Sequence, residues 1–174
     1  MRSKAFEAIG TQWVIDIHSH ISDALYDELM HAVMHCITDF DRTYSRFRED
    51  SLVRQIAEGT GIFNIPDEGT EMLRLYAKLY NLTEGACTPL IGSVMEEAGY
   101  DSSYSLQGGT LHTPLPFHDV ISFTKNGTEI KAPALLDFGA LGKGFLIDLV
   151  AHSLNTKNIT HYTIDAGGDI YYKN

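Results

Sequence analysis

The first clear pattern in the sequence is an alternation of apolar and polar side chains along residues 10–18, which predicts a half-buried β-strand. Ser22 follows at a position where it can cap a helix that we expect to run to about Asp41. Apolar residues recur along one face of this helix, as a helix packed against a core requires. They are Leu25, Leu29, Val33, Ile37 and Phe40. A short second helix is predicted to follow, capped by Asp50 or Ser51.

A third amphipathic helix is predicted to begin at Asp67 and to end at Gly85, after a brief extended piece at residues 62–65. Its apolar stripe comprises Met72, Leu75, Leu79 and Leu82. Residues 99–118 are rich in Gly, Ser, Tyr and Pro, which is typical of a loop.

The last third of the chain predicts short strands and one helix. Asn126 and Gly127 indicate the turn of a hairpin between strands at residues 120–123 and 128–131. Further elements are expected as strands at 135–137, 159–165 and 169–172, and as a helix at 142–154. Hairpins mixed with helices indicate an α+β fold, a mixed, largely antiparallel sheet with helices packed on it. We expect residues 1–174 to form a single domain.

The sequence stops within the strand predicted at residues 169–172. We therefore expect a truncated domain whose sheet edge and apolar face near residues 159–174 favour self-association, as a homo-oligomer or with a missing C-terminal half.

Composition narrows the class of protein. The chain has 174 residues, 44% hydrophobic and 21% charged, as in a soluble globular protein. A net charge of −10 argues against nucleic-acid binding, because no basic surface is available to neutralise backbone phosphates. The start of the chain has no apolar signal-peptide region and no stretch is long enough to span a membrane, so the cytoplasm is the expected location. Cys36 and Cys87 are expected to be reduced and buried.

The densest candidate chemistry lies in two Gly-rich segments, residues 136–144 and 165–170. Glycines beside Asp137 and Lys143 allow backbone N–H groups to approach a phosphate, with a helix N-terminus behind them. From these residues alone we infer only an anionic-ligand site. Asp137 could instead cap the following helix, and the second segment could be an ordinary turn at a strand end. Lys143 is unfavourable near a helix start, which favours a ligand contact.

Other side chains carry weaker signals. Phe47 and Trp13, taken singly, are typical of a core, and Arg46 and Arg48 are expected to be solvated loop residues rather than phosphate ligands. Two histidine pairs could share a metal ion, but a solvated surface is the favoured interpretation because neither pair has Cys or Glu at a zinc-motif spacing. The pairs are His18 with His20 and His31 with His35. The sequence has no Gly-x-Ser-x-Gly elbow and no Walker loop.

Five segments in order carry a resemblance to a known family. They are Ile9-Gly10-Thr11, Ser45 to Ser51, Gly85 to Leu90, Asp137 to Gly144 with the pattern Asp-x-Gly-x-x-x-Lys-Gly, and Ala166-Gly167-Gly168-Asp169. Together they resemble the ApbE family of flavin transferases, which move FMN from FAD onto a Ser or Thr of an acceptor protein. The resemblance covers about residues 6–170 and implies an ApbE/T-fold-like architecture, with the chain forming the N-terminal part of a flavin transferase domain.

The resemblance also implies roles for individual residues. The FAD pocket would be lined by Ile9, Phe47, Ala86, Cys87 and Thr88. Asp137 and Lys143 would contact the cofactor, and the backbone oxygen of Ala140 would bind Mg²⁺. AMP would leave when a hydroxyl of the acceptor flavoprotein attacks the FMN phosphorus. No catalytic residue is assigned.

Three departures from the family pattern affect what we expect. Thr88 replaces an Asp, Leu90 a Thr and Ile9 a Met. The family's later Thr-Ser-Gly, His-x-Ile-x-Asp-Pro and Asp-x-x-x-Thr segments, which supply Mg²⁺ ligands, are absent from the sequence, so we expect this chain alone to be incomplete or inactive as a transferase. The alternatives are a non-catalytic flavin-binding subunit or half of a split protein, and an FAD pyrophosphatase in which water is the attacking group.

Overall fold

The computed structural model describes residues 1–103 and 105–174, which form two compact units. The first unit comprises Met1–Asp41 and Leu141–Asn174, and the second comprises Arg42–Ala140. In chain order the elements are β1 (Arg2–Ala8), β2 (Thr11–Ile17), α1 (Asp23–Tyr44), α2 (Leu52–Glu58), β3 (Gly61–Phe63), α3 (Asp67–Leu82), α4 (Gly92–Glu97), α5 (Phe117–Val120), β4 (Ile121–Thr124), β5 (Gly127–Ile130), α6 (Gly142–Thr156), β6 (Tyr162–Ala166) and β7 (Asp169–Lys173).

The first unit contains a four-stranded antiparallel sheet in the order β1-β2-β6-β7. Trp13, Ile15 and Ile17 alternate along β2 and are fully buried, which confirms the alternation predicted for residues 10–18. Strand β1 was not predicted. It pairs with β2 over its whole length, with Phe6 opposite Trp13.

Two helices complete the first unit. Ser22 caps α1 as predicted, because its Oγ accepts a hydrogen bond from the backbone N–H of Leu25 at 3.2 Å. The helix continues past Asp41 to Tyr44, so its last three residues belong to the second unit. Helix α6 agrees with the predicted helix at 142–154 apart from two further residues. Its buried apolar residues are Leu146, Ile147, Val150, Ala151 and Leu154.

The second unit contains a three-stranded antiparallel sheet in the order β3-β5-β4. The predicted hairpin is confirmed, but its turn is shifted by one residue. Thr124 pairs with Gly127, so Lys125 and Asn126 form the turn and Gly127 is the first residue of β5.

Helix α3 buries a different stripe from the one expected. Its buried residues are Gly69, Met72, Leu73 and Tyr76, whereas Leu82 is 80% exposed. The difference arises because Tyr76 packs an aromatic ring against Phe138, with 6.1 Å between the ring centroids. That contact favours the Tyr76 face of the helix over the face that carries Leu75, Leu79 and Leu82. The short helices α4 and α5 were not predicted.

The strand predicted at residues 135–137 is wrong. Leu135 and Leu136 are buried, as in a central strand, but the segment joins neither sheet. It bonds to the start of α4 and to the segment before it: the N–H of Gly92, the first residue of α4, donates to the Leu135 carbonyl at 3.1 Å, and the Asp137 N–H donates to the Pro89 carbonyl at 2.8 Å. A Cβ on Gly92 would lie 2.5 Å from the Leu135 oxygen, so this approach requires glycine.

The α+β fold class is confirmed, with two antiparallel sheets in place of one. Within residues 1–103 and 105–174, no helix combines the length and apolarity needed to cross a bilayer. Cys36 and Cys87 are half-buried rather than buried.

Candidate functional site

The turn after α3 is fixed by the side chain of Thr83. Its Oγ1 donates to the Leu79 carbonyl at 2.7 Å and accepts from the Cys87 N–H at 2.9 Å. The chain then reverses through Gly85, whose φ of +91° is a conformation that favours glycine. This turn places Ala86 at the surface and leaves Cys87 half-buried.

Thr88, which stands where the family pattern has Asp, is buried with 8% of its surface exposed. Its Oγ1 accepts from the Leu90 N–H at 3.2 Å. The hydroxyl therefore stabilises its own turn, in the manner of a Ser/Thr turn.

The turn after α3 and the segment that carries Asp137 come together in space. The link is the hydrogen bond from the Asp137 N–H to the Pro89 carbonyl, two residues beyond Cys87. On its other side, the Asp137 carbonyl accepts from the Tyr76 hydroxyl at 3.3 Å. Two segments that lie about fifty residues apart in sequence are thus held side by side, as the family resemblance implied.

Both carboxylate oxygens of Asp137 have partners. Oδ1 accepts from the Gly139 N–H at 2.7 Å, and Oδ2 accepts from Arg46 Nε at 2.7 Å. The bond from the Gly139 N–H is the kind of backbone contact that the helix-cap interpretation expected, but Asp137 does not cap α6, whose N-cap position is Leu141 and which has no side-chain cap. Asp137 instead closes a tight turn at Gly139 and forms an ion pair with an arginine, while 17% of its side chain remains exposed.

Arg46 was expected to be solvated, but the structure buries it. Its side chain is only 2% exposed. The guanidinium carbon lies 4.1 Å from the centroid of the Phe47 ring and 4.9 Å from that of Tyr100, distances at which a cation is attracted to an aromatic face. Phe47 itself is half-buried and makes an edge contact with Tyr100 at 5.5 Å.

A second arginine and a second carboxylate extend this arrangement. Glu96 on α4 lies with Oε1 4.0 Å from Arg46 Nη1 and forms an ion pair with Arg54 on α2. Arg46, Arg54, Glu96 and Asp137 therefore form one cluster of two positive and two negative side chains, which we call the Arg46 cluster.

Phe138, the residue after Asp137, packs next to the Arg46 cluster against two tyrosine rings. Phe138 makes edge contacts with Tyr44 and Tyr76, at 5.2 and 6.1 Å between centroids. The Tyr44 hydroxyl donates to Glu68 Oε1 at 3.0 Å, and burial, reinforced by the Glu68 charge, raises the pKa of Tyr44 well above its usual range. These contacts pack the residue after Asp137 against α1 and α3.

The remaining candidate residues lie in the first unit. Ile9 and Gly10 form the two-residue loop between β1 and β2, with φ values of +43° and +73°, the signs required by a type I′ turn. A positive φ is unusual for a β-branched residue such as Ile9. Next to this loop, Thr11 lies so close to Gly167 that a Cβ there would be 2.1 Å from the Thr11 hydroxyl oxygen.

Lys143 is paired within the same unit. Its Nζ lies 3.0 Å from Asp169 Oδ2, with side chains that are 33% and 57% exposed. The Gly167–Gly168 turn, which connects β6 to β7, is closed by a bond from the Gly168 N–H to Asp165 Oδ1 at 2.8 Å. The pair offsets the unfavourable position of a lysine near the start of α6.

The donors needed for a magnesium site are not assembled in this structure. Across the described parts of the chain, no three side chains from His, Cys, Asp and Glu are grouped so that they could hold a metal ion. Ala140 is exposed and can offer only a backbone oxygen, whereas Mg²⁺ requires near-octahedral oxygen ligation. The residues present therefore do not fit Mg²⁺ by themselves.

The predicted site residues are divided between the two units. Phe47, residues 86–88 and Asp137 share the second unit, while Ile9 and Lys143 share the first with the Gly167–Gly168 turn. Arg46 was expected to be a solvated loop residue, and Glu96 was not predicted as a site residue. The sequence signal for Arg46 is its position directly before Phe47, since a guanidinium group can stack on a neighbouring aromatic ring.

Comparisons with known proteins agree with these observations. The model of the ApbE family matches residues 9–174. No curated protein matches the sequence. Among solved structures, a flavin transferase ApbE from Vibrio cholerae has a TM-score of 0.84 at 20% identity, and its H257G mutant 0.82 at 19%. The apo flavinyl transferase ApbE of Pseudomonas stutzeri has a TM-score of 0.78 at 16% identity.

These alignments cover 99% of this chain and, in the same order, 59%, 62% and 61% of the solved chains. The chain therefore spans about three-fifths of the length of the structures that it matches.

Proposed function

This chain belongs to the ApbE family, and on that premise we propose that it binds FAD as part of a flavin transferase that moves FMN onto a Ser or Thr of an acceptor protein. In this proposal residues 1–174 represent the N-terminal part of one flavin transferase domain. FAD is the substrate: the acceptor oxygen forms a bond to the FMN phosphorus, the bridging P–O bond breaks, AMP leaves with that electron pair, and the hydroxyl proton is lost.

The observation that supports this proposal best is the hydrogen bond that holds Asp137 beside the turn after α3. It joins the turn that contains residues 86–88 to Asp137, and the ion pair of Asp137 with Arg46 adds the residue next to Phe47. All three segments carry proposed cofactor contacts and belong to the second unit. Because Asp137 is fixed by Arg46 and by the Gly139 N–H, its carboxylate is pre-organised, which reduces the entropy lost on binding. Ile9 and Lys143 are proposed as further contacts.

The second candidate is a flavin-binding subunit that does not transfer FMN on its own. The observation that favours it concerns the metal ligands. Only the Ala140 backbone oxygen has been proposed for Mg²⁺, and within the described residues no group of three His, Cys, Asp or Glu side chains could hold a metal ion. We derive no chemical step through Mg²⁺ from this chain.

Flavin titration tests the proposal. We expect wild-type protein to quench FAD fluorescence on binding, and Asp137→Asn to weaken that binding about tenfold, because the variant loses an ionised acceptor. The matched control is Asp119→Asn, an exposed carboxylate in the same unit. Equal affinity of all three proteins would refute the placement of the cofactor.

Product analysis separates the candidate functions. The protein is incubated with FAD, Mg²⁺ and a Ser/Thr-containing acceptor protein. AMP together with FMN bound to the acceptor indicates a transferase, and AMP together with free FMN indicates a pyrophosphatase. Flavin binding without AMP indicates the non-catalytic subunit.

A further inference from the structure

Two guanidinium nitrogens of Arg46, in the second unit, are buried without a hydrogen-bond acceptor in the described part of the chain, and the proposed function does not account for them. Nη1 and Nη2 are both buried, and neither has a hydrogen-bond partner among residues 1–103 and 105–174. Glu96 Oε1 is 4.0 Å from Nη1, too far for a hydrogen bond. A buried donor without an acceptor costs about 1–3 kcal/mol, so such groups in native proteins point to an acceptor that binds there.

The surroundings of the guanidinium restrict what that acceptor can be. Its Nε is occupied by Asp137, and the rings of Phe47 and Tyr100 lie 4.1 and 4.9 Å from its central carbon. Aromatic surfaces next to a planar donor favour a planar ligand that carries oxygen atoms at its edge.

Charge distinguishes a ring carbonyl from a phosphate. The Arg46 cluster already contains two carboxylates for two guanidinium groups. A phosphate would bring further negative charge beside Asp137 and Glu96, whose side chains are 17% and 27% exposed. A carbonyl oxygen accepts the same hydrogen bonds without adding charge.

We propose that Arg46 binds the ring system of the flavin by donating from Nη1 and Nη2 to its carbonyl oxygens, next to Phe47. This inference rests on the proposed function, because it assumes that the chain binds a flavin. It adds Arg46, which was expected to be a solvated loop residue, to the proposed binding residues.

The test compares ligands that share the ring and differ in phosphate. Riboflavin, FMN and FAD are titrated into wild-type protein, Arg46→Lys and Arg48→Lys. Lysine keeps the charge but lacks the planar pair of donors. We expect Arg46→Lys to weaken all three ligands by the same factor, roughly tenfold, since hydrogen bonds from a charged donor are being lost. Arg48, which pairs with Asp50 at 3.0 Å, provides the matched control and should leave affinity unchanged.

Each other outcome has a distinct meaning. A loss for FMN and FAD but not for riboflavin would overturn the inference in favour of a phosphate contact. Equal affinities in wild type and Arg46→Lys would overturn it while leaving the proposed function intact. A wild-type protein that binds none of the three flavins would overturn both.

A measurement on wild-type protein covers the case in which Arg46→Lys does not fold, as judged by circular dichroism. Riboflavin labelled with ¹³C at its two ring carbonyls is bound to wild-type protein, and the carbonyl bands are recorded by infrared difference spectroscopy. Donation from a guanidinium should move them to lower wavenumber than in water. Unshifted bands would contradict the inference, and a purely structural role of Arg46 would not move them.

Discussion

The two units place their candidate site residues in opposite physical settings. In the second unit Asp137 is paired with an arginine that is 2% exposed, whereas in the first Lys143 and Asp169 pair at the surface with 33% and 57% exposure. The distances are similar, at 2.7 and 3.0 Å. Water and salt weaken an exposed pair, while a buried pair cannot lose one partner without leaving an uncompensated charge. Burial, more than the ion-pair distance, therefore decides what each pair contributes to stability.

The largest expected effect comes from breaking the buried pair. Asp137→Ala should lower the free energy of unfolding by about 3 kcal/mol, because the only counter-charge left near the buried Arg46 among the described residues would be Glu96, which lies 4.0 Å from Nη1 and already pairs with Arg54. Asp169→Ala is the matched variant in the first unit and should cost less than about 1 kcal/mol. Urea unfolding of both variants measures the difference. Equal losses would show that the contrast between the two units does not matter for stability.

Alkaline pH provides a second contrast. Burial raises the pKa of Tyr44, so above about pH 10 the unfolded chain loses a proton that the folded chain keeps. The unfolded state then binds fewer protons, and stability falls with rising pH by up to about 1.4 kcal/mol per pH unit. Unfolding measured from pH 9 to 11 should show a shallower decline for Tyr44→Phe than for wild type.

The control for this prediction is Tyr172→Phe, whose phenol in the first unit is 63% exposed. This variant should follow the wild-type curve. A Tyr44→Phe curve parallel to wild type would mean that the alkaline loss of stability arises elsewhere. At neutral pH, Tyr44→Phe should be less stable than wild type by about 1 kcal/mol, since it also loses the hydrogen bond to Glu68.

A smaller effect is expected from the two helix caps, one in each unit. Ser51 is fully buried and its Oγ accepts from the Arg54 N–H at 3.2 Å; Ser22 makes the same contact with the Leu25 N–H at 3.2 Å but is exposed. Ser51→Ala should cost about 1 kcal/mol and Ser22→Ala about half of that. Thermal unfolding of the two variants, compared with wild type, measures both. If Ser22→Ala lost more stability than Ser51→Ala, the proposal that burial strengthens a helix cap would be wrong.

These caps also show what the sequence alone can predict. The cap at Ser22, the choice of Asp50 or Ser51 as the cap of α2, and the hairpin near Asn126 were predicted because each depends on residues within about four positions of one another. The alternation along β2 was equally local. The α+β class follows from the order of such elements.

The incorrect predictions concern contacts between segments far apart in the chain. The segment at residues 135–137 has the composition of a buried strand, but its hydrogen-bond partners are Pro89 and Gly92, which no local pattern identifies. Arg46 was expected in solvent because polar loops usually are, and only the distant Asp137 and Glu96 make its burial understandable. The same limit applies to the site: motif order predicted which segments matter, but not which side chains pair with one another.

The smallest effect on stability is expected at Lys143. Replacing this residue should change the free energy of unfolding very little while changing FAD affinity strongly. Lys143→Met removes an exposed ion pair and should change the free energy of unfolding by less than about 0.5 kcal/mol. If Lys143 also contacts the flavin nucleotide, as proposed, the same variant should weaken FAD about tenfold. Asp169→Asn releases Lys143 from its partner at 3.0 Å and should leave FAD affinity equal or higher. FAD titration of the two variants at 0.15 M salt compares them directly. If Asp169→Asn weakens FAD as much as Lys143→Met does, then the ion pair acts only by shaping the loop and Lys143 does not itself bind the ligand.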